Sequence, residues 1–318
     1  MENTSLAIVV PCYNEEEMLP SSLPVLLATL NDLVARNKIS ADSKLYLVDD
    51  GSTDNTWEQI ERACSDHQGQ VVGFKLSRNR GHQYALIAGL ENCVGDIIVS
   101  IDADLQDDPS NIEKMVDEHH KGNDVVYGVR AARDADTFFK RATAEGYYSL
   151  MRRMGVDLVF NHADFRLMSR RALNAMLEYR ESQLFLRGIV REVGFPSSTV
   201  EYDRQVRVAG ESKYPLRKML SLAWSGISSF STAPLRAITV LGICASGLSM
   251  LMIVWVLGIR LIGDTAIPGW ASILAPLLFI GSVQLLSLGV IGEYLAKIYN
   301  EIKQRPRYHI SEKRGSIK

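Results

Sequence analysis

The chain has 318 residues, enough for one large domain or two modest ones. Its formal net charge of −2 at pH 7 gives no case for nucleic-acid binding, and we expect no nucleic-acid partner. The four cysteines form no CxxC pair, which argues against a zinc site or a disulfide framework and predicts reduced thiols.

Short apolar runs alternate with helical patterns over the first 130 residues. The apolar runs predict five strands, at 5–11, 44–50, 71–77, 96–102 and 124–130. Helical periodicity fills the intervals, at 16–37, 54–68, 81–93 and 109–121. Strands that are apolar throughout and alternate with helices are typical of a parallel sheet covered on both faces. We therefore predict a doubly wound, mostly parallel α/β domain over residues 1–210.

Polar segments follow the first four predicted strands. They are "PCYNEEE", "DDGSTDNT", "SRNRGH" and "DADLQDD". In doubly wound sheets, ligands bind beyond the carboxyl ends of the strands. One such loop would suggest only a turn and a helix cap, but four at one edge predict a binding site.

The aspartates after the fourth predicted strand suggest a site for a divalent cation. In an extended segment Asp102 and Asp104 would point the same way, and Gln106 would continue the series. Oxygen ligands suit Mg²⁺, which fills its remaining positions with water and phosphate oxygens. Neither GxxxxGK[ST] nor GxGxxG is present, so a cation would have to neutralise a bound diphosphate. Asp107 and Asp108 are expected to cap the next helix.

Residues 235–298 differ sharply from the rest of the chain. Two runs of about 23 residues carry no charge, from Ala237 to Ile259 and from Trp270 to Gly292. At about 1.5 Å per helical residue, each exceeds the roughly 30 Å hydrocarbon layer of a bilayer. We predict a transmembrane hairpin of two helices, over about 236–260 and 270–293; a buried core hairpin is the alternative.

The charges that flank these spans predict their orientation. Lysines and arginines precede the first span and follow the second, whereas the connector carries only Arg260 and Asp264. The positive-inside rule places the large N-terminal domain and both termini in the cytoplasm, so we expect a multi-pass protein of the plasma (inner) membrane. An amphipathic juxtamembrane helix is predicted over 211–234 and a cytoplasmic basic tail over 299–318. A similar stretch, 138–154, is a second candidate interfacial helix, with packing on the core as the alternative.

Six motifs, taken in order, resemble those of the family 2 glycosyltransferases: "IVVPCYNEEE", "LVDDGSTDNT", "LSRNRGHQYALIAGL", "SIDADLQDDP", "ADFRLMSRRA" and "VAGESKYPLRKM". The chain is most similar to the membrane-bound polyisoprenyl-phosphate glycosyltransferases, the group of dolichol-phosphate mannose synthases and bactoprenol glucosyltransferases. The resemblance covers about residues 5–300. It implies a GT-A-like fold and an inverting, Mg²⁺- or Mn²⁺-dependent transfer of a hexose from a nucleotide sugar to a polyprenyl phosphate.

The same resemblance implies roles for particular residues. The nucleotide sugar would be bound by Pro11, Tyr13, Asn14, Glu15, Asp49, Asp50, Arg78, Gly81 and Asp102. The cation would be bound by Asp102, Asp104 and Gln106, and the acceptor phosphate by Arg130, Arg141 and Lys213. The catalytic residues would be Asp164, Asp157 and Arg166, with Asp164 acting as a base or orienting the acceptor. Ala163 stands where the family has a glycine, which leaves the local backbone shape open.

Several alternatives stay open at the level of the sequence. UDP-glucose is the preferred donor, but GDP-mannose with a dolichol-phosphate-type acceptor is possible. A glycosyltransferase that uses another lipid hydroxyl as its acceptor is also possible. A processive polysaccharide synthase is less favoured, because the chain contains no Arg-Trp pair. A membrane anchor or transport subunit that only binds nucleotide is a non-enzymatic alternative. A homo-oligomer is compatible with all of these.

Overall fold

The computed structural model describes residues 4–130, 162–181, 186–202 and 270–316, together with 235, 238–245, 247, 248 and 251. The described residues up to 202 and from 306 onward belong to one compact unit. Those from 235 to 305 belong to a second unit.

One sheet forms the centre of the first unit. Its strands are β1 (Leu6–Cys12), β2 (Lys44–Asp49), β3 (Val71–Leu76), β4 (Ile97–Ser100), β5 (Val125–Arg130), β6 (His162–Ser169), β7 (Ser197–Tyr202) and β8 (Ile310–Arg314). They lie in the order β7-β5-β6-β4-β1-β2-β3-β8. The pairs β1–β2, β1–β4, β2–β3 and β5–β7 are parallel, whereas β4–β6, β5–β6 and β3–β8 are antiparallel. The prediction of an α/β fold with a mostly parallel sheet is confirmed.

The described helices up to residue 192 belong to the first unit, and the helix that begins at residue 270 belongs to the second. They are α1 (Leu19–Ala35), α2 (Thr56–Asp66), α3 (His82–Asn92), α4 (Asn111–His120), α5 (Arg170–Leu177), α6 (Leu186–Glu192) and α7 (Trp270–Ile302). The five strands and four helices predicted before residue 131 are all present, within a few residues at each end. In α1, Leu26, Leu30 and Leu33 are buried because their helical spacing places them on one face.

The central strands are buried on both faces. Every residue of β1 and β2 is buried, which explains why their sequences are apolar without alternation. α3 approaches this layer closely at Gly89, where a Cβ would lie 2.3 Å from Cγ1 of Val9. Each large apolar side chain buried here contributes about 1.5–3 kcal/mol to the stability of the fold.

The strand β6 was not predicted from the sequence. It carries the "ADFRLMS" motif and lies between β4 and β5, antiparallel to both. Ser100 at the end of β4 is paired with Arg166. Because β6 runs against β4, its first residues lie at the edge where β4 ends, which is the edge of the predicted site.

The C-terminal segment also differs from the predicted basic tail at 299–318. α7 continues to Ile302, and Ile310–Arg314 forms β8 on the edge of β3. Phe74 of β3 is paired with Lys313 in this antiparallel ladder. A basic sequence therefore covers the edge of a buried strand, and lysine and arginine are well suited to such an edge because they discourage further strand pairing.

One described helix is long and apolar enough to cross a membrane. It is the part of α7 from Phe279 to Ile302, which overlaps the second predicted span. Apolar side chains of this stretch are exposed; Leu285 and Ile302, for example, are more than 70% exposed.

The other membrane predictions fall largely outside the described residues. Within the first predicted span, 236–260, the residues that are described are helical. The remainder of that span, the juxtamembrane segment 211–234 and the stretch 138–154 lie outside the described residues. The two-helix hairpin and the interfacial helices stay predictions.

Candidate active site

The loops after β1 and β2 are joined by hydrogen bonds. The amide of Asn14 donates to Oγ of Ser52 (3.0 Å), and the amide of Thr53 donates to Oδ1 of Asn14 (2.9 Å). Asn14 has φ +54°, a left-handed conformation that asparagine tolerates better than most residues. The side chain of Glu16 accepts from the amide and the side chain of Asn55 at the start of α2. A cavity of about 380 Å³ lies between these loops, lined by Asn14, Glu15, Glu16, Glu17, Met18, Thr53 and Asp54.

The two aspartates at the end of β2 organise the next loops. Oδ1 of the buried Asp49 accepts from the amide of Ser52 (3.1 Å). Asp50 accepts from the amides of Arg80 and Gly81, one on each carboxylate oxygen, both at 2.8 Å. Burial raises the pKa of both carboxyl groups, and these amide bonds oppose the rise. Asp50 thus links the β2 loop to the "SRNRGH" loop.

Gly51 explains why the "DDG" sequence ends in glycine. Its φ is +68°, and a Cβ would lie 2.6 Å from the carbonyl carbon of Arg78 and 2.7 Å from the amide nitrogen of Asn79. The absence of a side chain therefore permits both the turn and the close approach of the following loop.

Three side chains from different elements meet beyond β4. Asp102 follows β4, His82 begins α3, and Asp164 lies near the start of β6. Nε2 of His82 is 3.5 Å from Oδ1 of Asp102 and 3.7 Å from Oδ2 of Asp164. Asp102 and Asp164 were predicted as site residues, and the structure brings them together. His82 was not predicted; its position just after Gly81, at the same edge of the sheet, was the only signal in the sequence.

Asp102 lies in surroundings that disfavour its charge. Its pKa is raised to about 6, mainly by burial; Asp164, Asp107 and Asp104 add to the rise, and His82 opposes it. Within this cluster of carboxylates, Asp164 is paired with Arg166 and Asp107 with Arg130. The hard oxygen donors of the cluster fit Mg²⁺ or Mn²⁺, although the described residues contain no preformed group of three His, Cys, Asp or Glu ligands.

The extended series Asp102, Asp104, Gln106 does not occur. β4 ends at Ser100, and Leu105 adopts a left-handed φ of +48°. Oδ1 of Asp104 accepts from the amide of Gln106 (3.2 Å), and the Gln106 side chain is buried. The expected alternation was wrong because a side-chain-to-backbone bond turns the chain here.

Asp164 forms an ion pair with Arg166 on the same strand. Nη2 of Arg166 is 2.9 Å from Oδ1 of Asp164, and the Arg166 side chain is only 1% exposed. The hydroxyl of Ser100 also donates to the backbone carbonyl of Asp164 (2.6 Å). Arg166 was predicted to face the reacting centre as a catalytic residue; its guanidinium is buried and held against Asp164, and its catalytic role stays a prediction.

Arg130 is engaged in a second buried cluster. Its guanidinium donates to Asp107 at 2.9 and 3.1 Å, and the hydroxyl of Tyr202 donates to the same carboxylate. Asp107 is therefore a buried partner of Arg130 rather than a helix cap. Asp108 does not cap α4 either: its carboxylate accepts from the amide of Ser110 (2.9 Å) in the turn before the helix, and the N-cap residue is Ser110. The predicted contact of Arg130 with the acceptor phosphate would have to compete with Asp107.

The remaining predicted residues are placed as follows. Tyr13 is 45% exposed just after β1, whereas Pro11 is buried within that strand. Arg78 is exposed in the loop after β3. Three predicted site residues lie outside the described residues, namely Arg141, Asp157 and Lys213.

The chain is similar in sequence to known glycosyltransferases. The model of glycosyl transferase family 2 matches residues 7–177. The chain is 48% identical to an uncharacterized glycosyltransferase, YkoT, of Bacillus subtilis, over 96% of this chain and 90% of that protein. It is 37% identical to the bactoprenol glucosyl transferase of Shigella phage SfX, over 97% of this chain and 99% of that one.

Among solved structures, the chain is similar to a mannosyltransferase from Pyrobaculum calidifontis in complex with GDP-Man and Mn²⁺. That likeness has a TM-score of 0.49 at 17% identity and covers 94% of this chain and 86% of the other.

Proposed function

Because the chain belongs to glycosyltransferase family 2, we propose that it transfers glucose from UDP-glucose to a polyprenyl phosphate such as undecaprenyl phosphate, with inversion at the anomeric carbon. The observation that carries the proposal is the meeting of Asp102, His82 and Asp164 beyond the carboxyl end of β4. The choice of glucose and of a polyprenyl phosphate is supported by the full-length similarity to bactoprenol glucosyl transferases.

The nucleotide sugar would bind across the loops after β1, β2 and β3. Tyr13 offers an exposed aromatic face against which a uracil ring could stack. Asp50 keeps further acceptor capacity, since a carboxylate has about four lone-pair sites and two of them are used by backbone amides. Arg78 is an exposed cation at the edge where the diphosphate would lie.

Asp102 and Asp104 would hold a Mg²⁺ or Mn²⁺ ion at the donor diphosphate. The ion, when bound, would neutralise the negative charge that develops on the departing nucleoside diphosphate. It would also offset the burial and the carboxylate repulsion that raise the pKa of Asp102.

The acceptor requires little activation. A phosphate monoester has a second pKa near 6, so its oxygen is largely ionised at neutral pH. Asp164 would orient this acceptor or take up its remaining proton, and Arg166 holds Asp164 in place. Two like charges about 4 Å apart repel by roughly 4 kcal/mol at an effective dielectric of 20, so cations must lie near the acceptor. Arg141 and Lys213 stay our candidates for that role. Arg130 is a third candidate, but the acceptor phosphate would have to compete with Asp107 for its guanidinium.

The exposed apolar helix suits an enzyme whose acceptor is a lipid. A polyprenyl tail lies in the bilayer and its phosphate at the surface, so an enzyme for this substrate needs a membrane anchor. The exposed apolar stretch Phe279–Ile302 supports membrane attachment, and we propose the plasma membrane with the catalytic domain on its cytoplasmic side.

The test is transfer of radiolabelled sugar to undecaprenyl phosphate by the full-length protein in detergent or vesicles. UDP-glucose, UDP-galactose and GDP-mannose are assayed in parallel, with and without EDTA. We expect transfer from UDP-glucose, loss of transfer with EDTA and recovery with added Mg²⁺ or Mn²⁺. Asp104→Asn should lose turnover while remaining folded, whereas Asp108→Asn, in the turn before α4, serves as the matched control.

Other results would contradict the proposal in distinct ways. Transfer from GDP-mannose alone would replace glucose by mannose. Full activity after thorough chelation would show that the reaction needs no bound divalent cation. Transfer from none of the three donors would reject the proposed reaction.

A further inference from the structure

The segment that follows α7 returns to the loop after β3. We call residues 306–314 the C-terminal strap. The guanidinium of Arg80 donates to two consecutive carbonyls of the strap, from Nε to Arg307 (2.8 Å) and from Nη2 to Pro306 (3.1 Å). The amide of Ser77, at the start of the same loop, donates to the carbonyl of His309 (2.9 Å). The loop is thus held by the strap at both of its ends.

The strap is itself anchored at several points. The side chain of Arg307 is 13% exposed and donates to the carbonyls of Tyr179 and Glu181 beyond α5. The hydroxyl of Tyr308 donates to Glu91 and accepts from the side-chain amide of Asn92 (2.9 Å), both on α3. These contacts fix the backbone whose carbonyls Arg80 uses.

Arg80 also connects the strap to the candidate active site. Its own amide donates to Asp50, and the next amide, that of Gly81, donates to the other oxygen of the same carboxylate. The following residue is His82, which lies within 3.7 Å of both Asp102 and Asp164. A displacement of Arg80 would therefore be transmitted over two residues of backbone to the centre of the site.

We propose that Arg80 is a positioning residue of the transferase and that it acts through the C-terminal strap. Its planar guanidinium donates to two carbonyls of the strap. These bonds hold in place the backbone whose amides donate to Asp50 and which carries His82. Pro306 and Arg307 of the strap then support the donor site, although they lie more than 220 residues from Arg80 in the sequence. This inference rests on the proposed function only for its effect on turnover.

The test compares three full-length variants with the wild type. Arg80→Met keeps an unbranched apolar side chain but removes both donors to the strap, together with the guanidinium contact over the Tyr84 ring. Arg80→Lys keeps a charge but cannot span two carbonyls, since an ammonium group lacks the planar fork. Arg314→Ala is the matched control, because Arg314 lies in the same strap but pairs with Glu61 and Glu312 at the far end of β8.

Two readouts are measured. Hydrogen exchange of the peptide over residues 77–84 reports the loop itself and does not depend on which sugar or acceptor the enzyme uses. In Arg80→Met we expect exchange at least tenfold faster there, and kcat/KM for the nucleotide sugar about 10- to 100-fold lower, as misplacement of catalytic groups produces. Arg80→Lys should change the exchange rate and kcat/KM less than Arg80→Met does. Arg314→Ala should match the wild type in both measurements.

Two outcomes would overturn the proposal. Unchanged exchange of residues 77–84 in Arg80→Met would show that the strap does not hold the loop, whatever the enzyme transfers. An equal loss of activity in Arg314→Ala would show a general effect on stability. If the wild type transfers no sugar while the exchange result is as expected, the proposed function fails and the positioning of the loop stands.

Discussion

At the scale of single residues, the two carboxylates of the candidate site have opposite electrostatic surroundings. Asp164 is paired with the buried guanidinium of Arg166 at 2.9 Å. Asp102 has three other carboxylates nearby, and burial is the main cause of its raised pKa. The fold therefore holds Asp164 in one orientation, and Asp102 stays our predicted ligand of a cation.

Replacement of Asp102 by Asn should separate stability from activity. We expect transfer to fall by at least about 100-fold, because the variant loses a charged ligand for the cation. Thermal stability at pH 7.5 in EDTA should rise, because the folded state no longer holds a disfavoured charge. The Asp102 side chain is 37% exposed, so solvent screening limits the gain to about 1 kcal/mol, or roughly 2–4 °C in Tm.

The sign of this effect follows from the pKa of Asp102. Its folded value of about 6 lies above the ordinary value of 3.8, so the charged form destabilises the folded state. That cost is fully present above pH 6 and disappears as the pH falls towards 3.8. The difference in Tm between Asp102→Asn and the wild type should therefore shrink between pH 7.5 and pH 4.5. A difference that is unchanged over this range would contradict the assignment.

At the scale of elements, the active-site edge depends on loops that bond to one another. Asn14 joins the first loop to the second, and Asp50 joins the second to the third. β6 adds Asp164 to the same edge only because it runs antiparallel to β4. The site is therefore a property of neighbouring elements rather than of any one motif.

Two glycine variants test the contact between the second and third loops. Gly51→Ala should cost stability through its positive φ and also displace the third loop, because the new Cβ would lie 2.6 Å from the backbone of Arg78. Gly69→Ala has a similar φ of +83° but no atom within 4 Å of the new Cβ. We expect each to lose about 1–2 kcal/mol from the left-handed conformation, and only Gly51→Ala to lose most of its transfer activity.

The measurements are chemical denaturation and initial rates of transfer for both glycine variants. Equal activity in the two variants would show that the close approach at Gly51 has no bearing on the site.

At the scale of the whole molecule, an α/β domain is combined with a helix whose apolar side chains are exposed. α7 runs from Trp270 to Ile302, and the chain then re-enters the sheet as β8. The fold is the GT-A-like α/β fold of family 2, with a mostly parallel sheet.

Membrane attachment can be checked on the intact protein. We expect the full-length chain to sediment with membranes and to resist both 1 M salt and alkaline carbonate, because exposed apolar residues such as Leu285 and Leu288 favour the hydrocarbon layer. Detergent should release it. Release by salt alone would indicate that the protein is held at the surface by charge, and would contradict the predicted spans.

Much of the α/β domain could be predicted from local sequence. β1 to β4 and α1 to α4 are each indicated by an apolar run or a helical periodicity of fewer than 20 residues. Such patterns exist because burial of a strand or a helix face requires apolar residues at regular spacing. The grouping of Asp50, Asp102 and the "SRNRGH" loop at one edge followed from the parallel arrangement of the strands. No local pattern indicates β8, because its sequence, "ISEKR", is largely polar and its partner strand, β3, lies more than 200 residues away in the chain.

The sequence by itself determined the α/β class, the edge at which the site lies and the types of side chain available there. Only the tertiary structure decided which of those side chains meet. It inserted β6 between β4 and β5, turned Asp104 towards its own loop, buried Arg166 against Asp164 and brought the strap to Arg80. The physical reason is range: apolar spacing acts between near neighbours, whereas strand order, ion pairing and burial depend on residues that are distant in the chain and close only after folding.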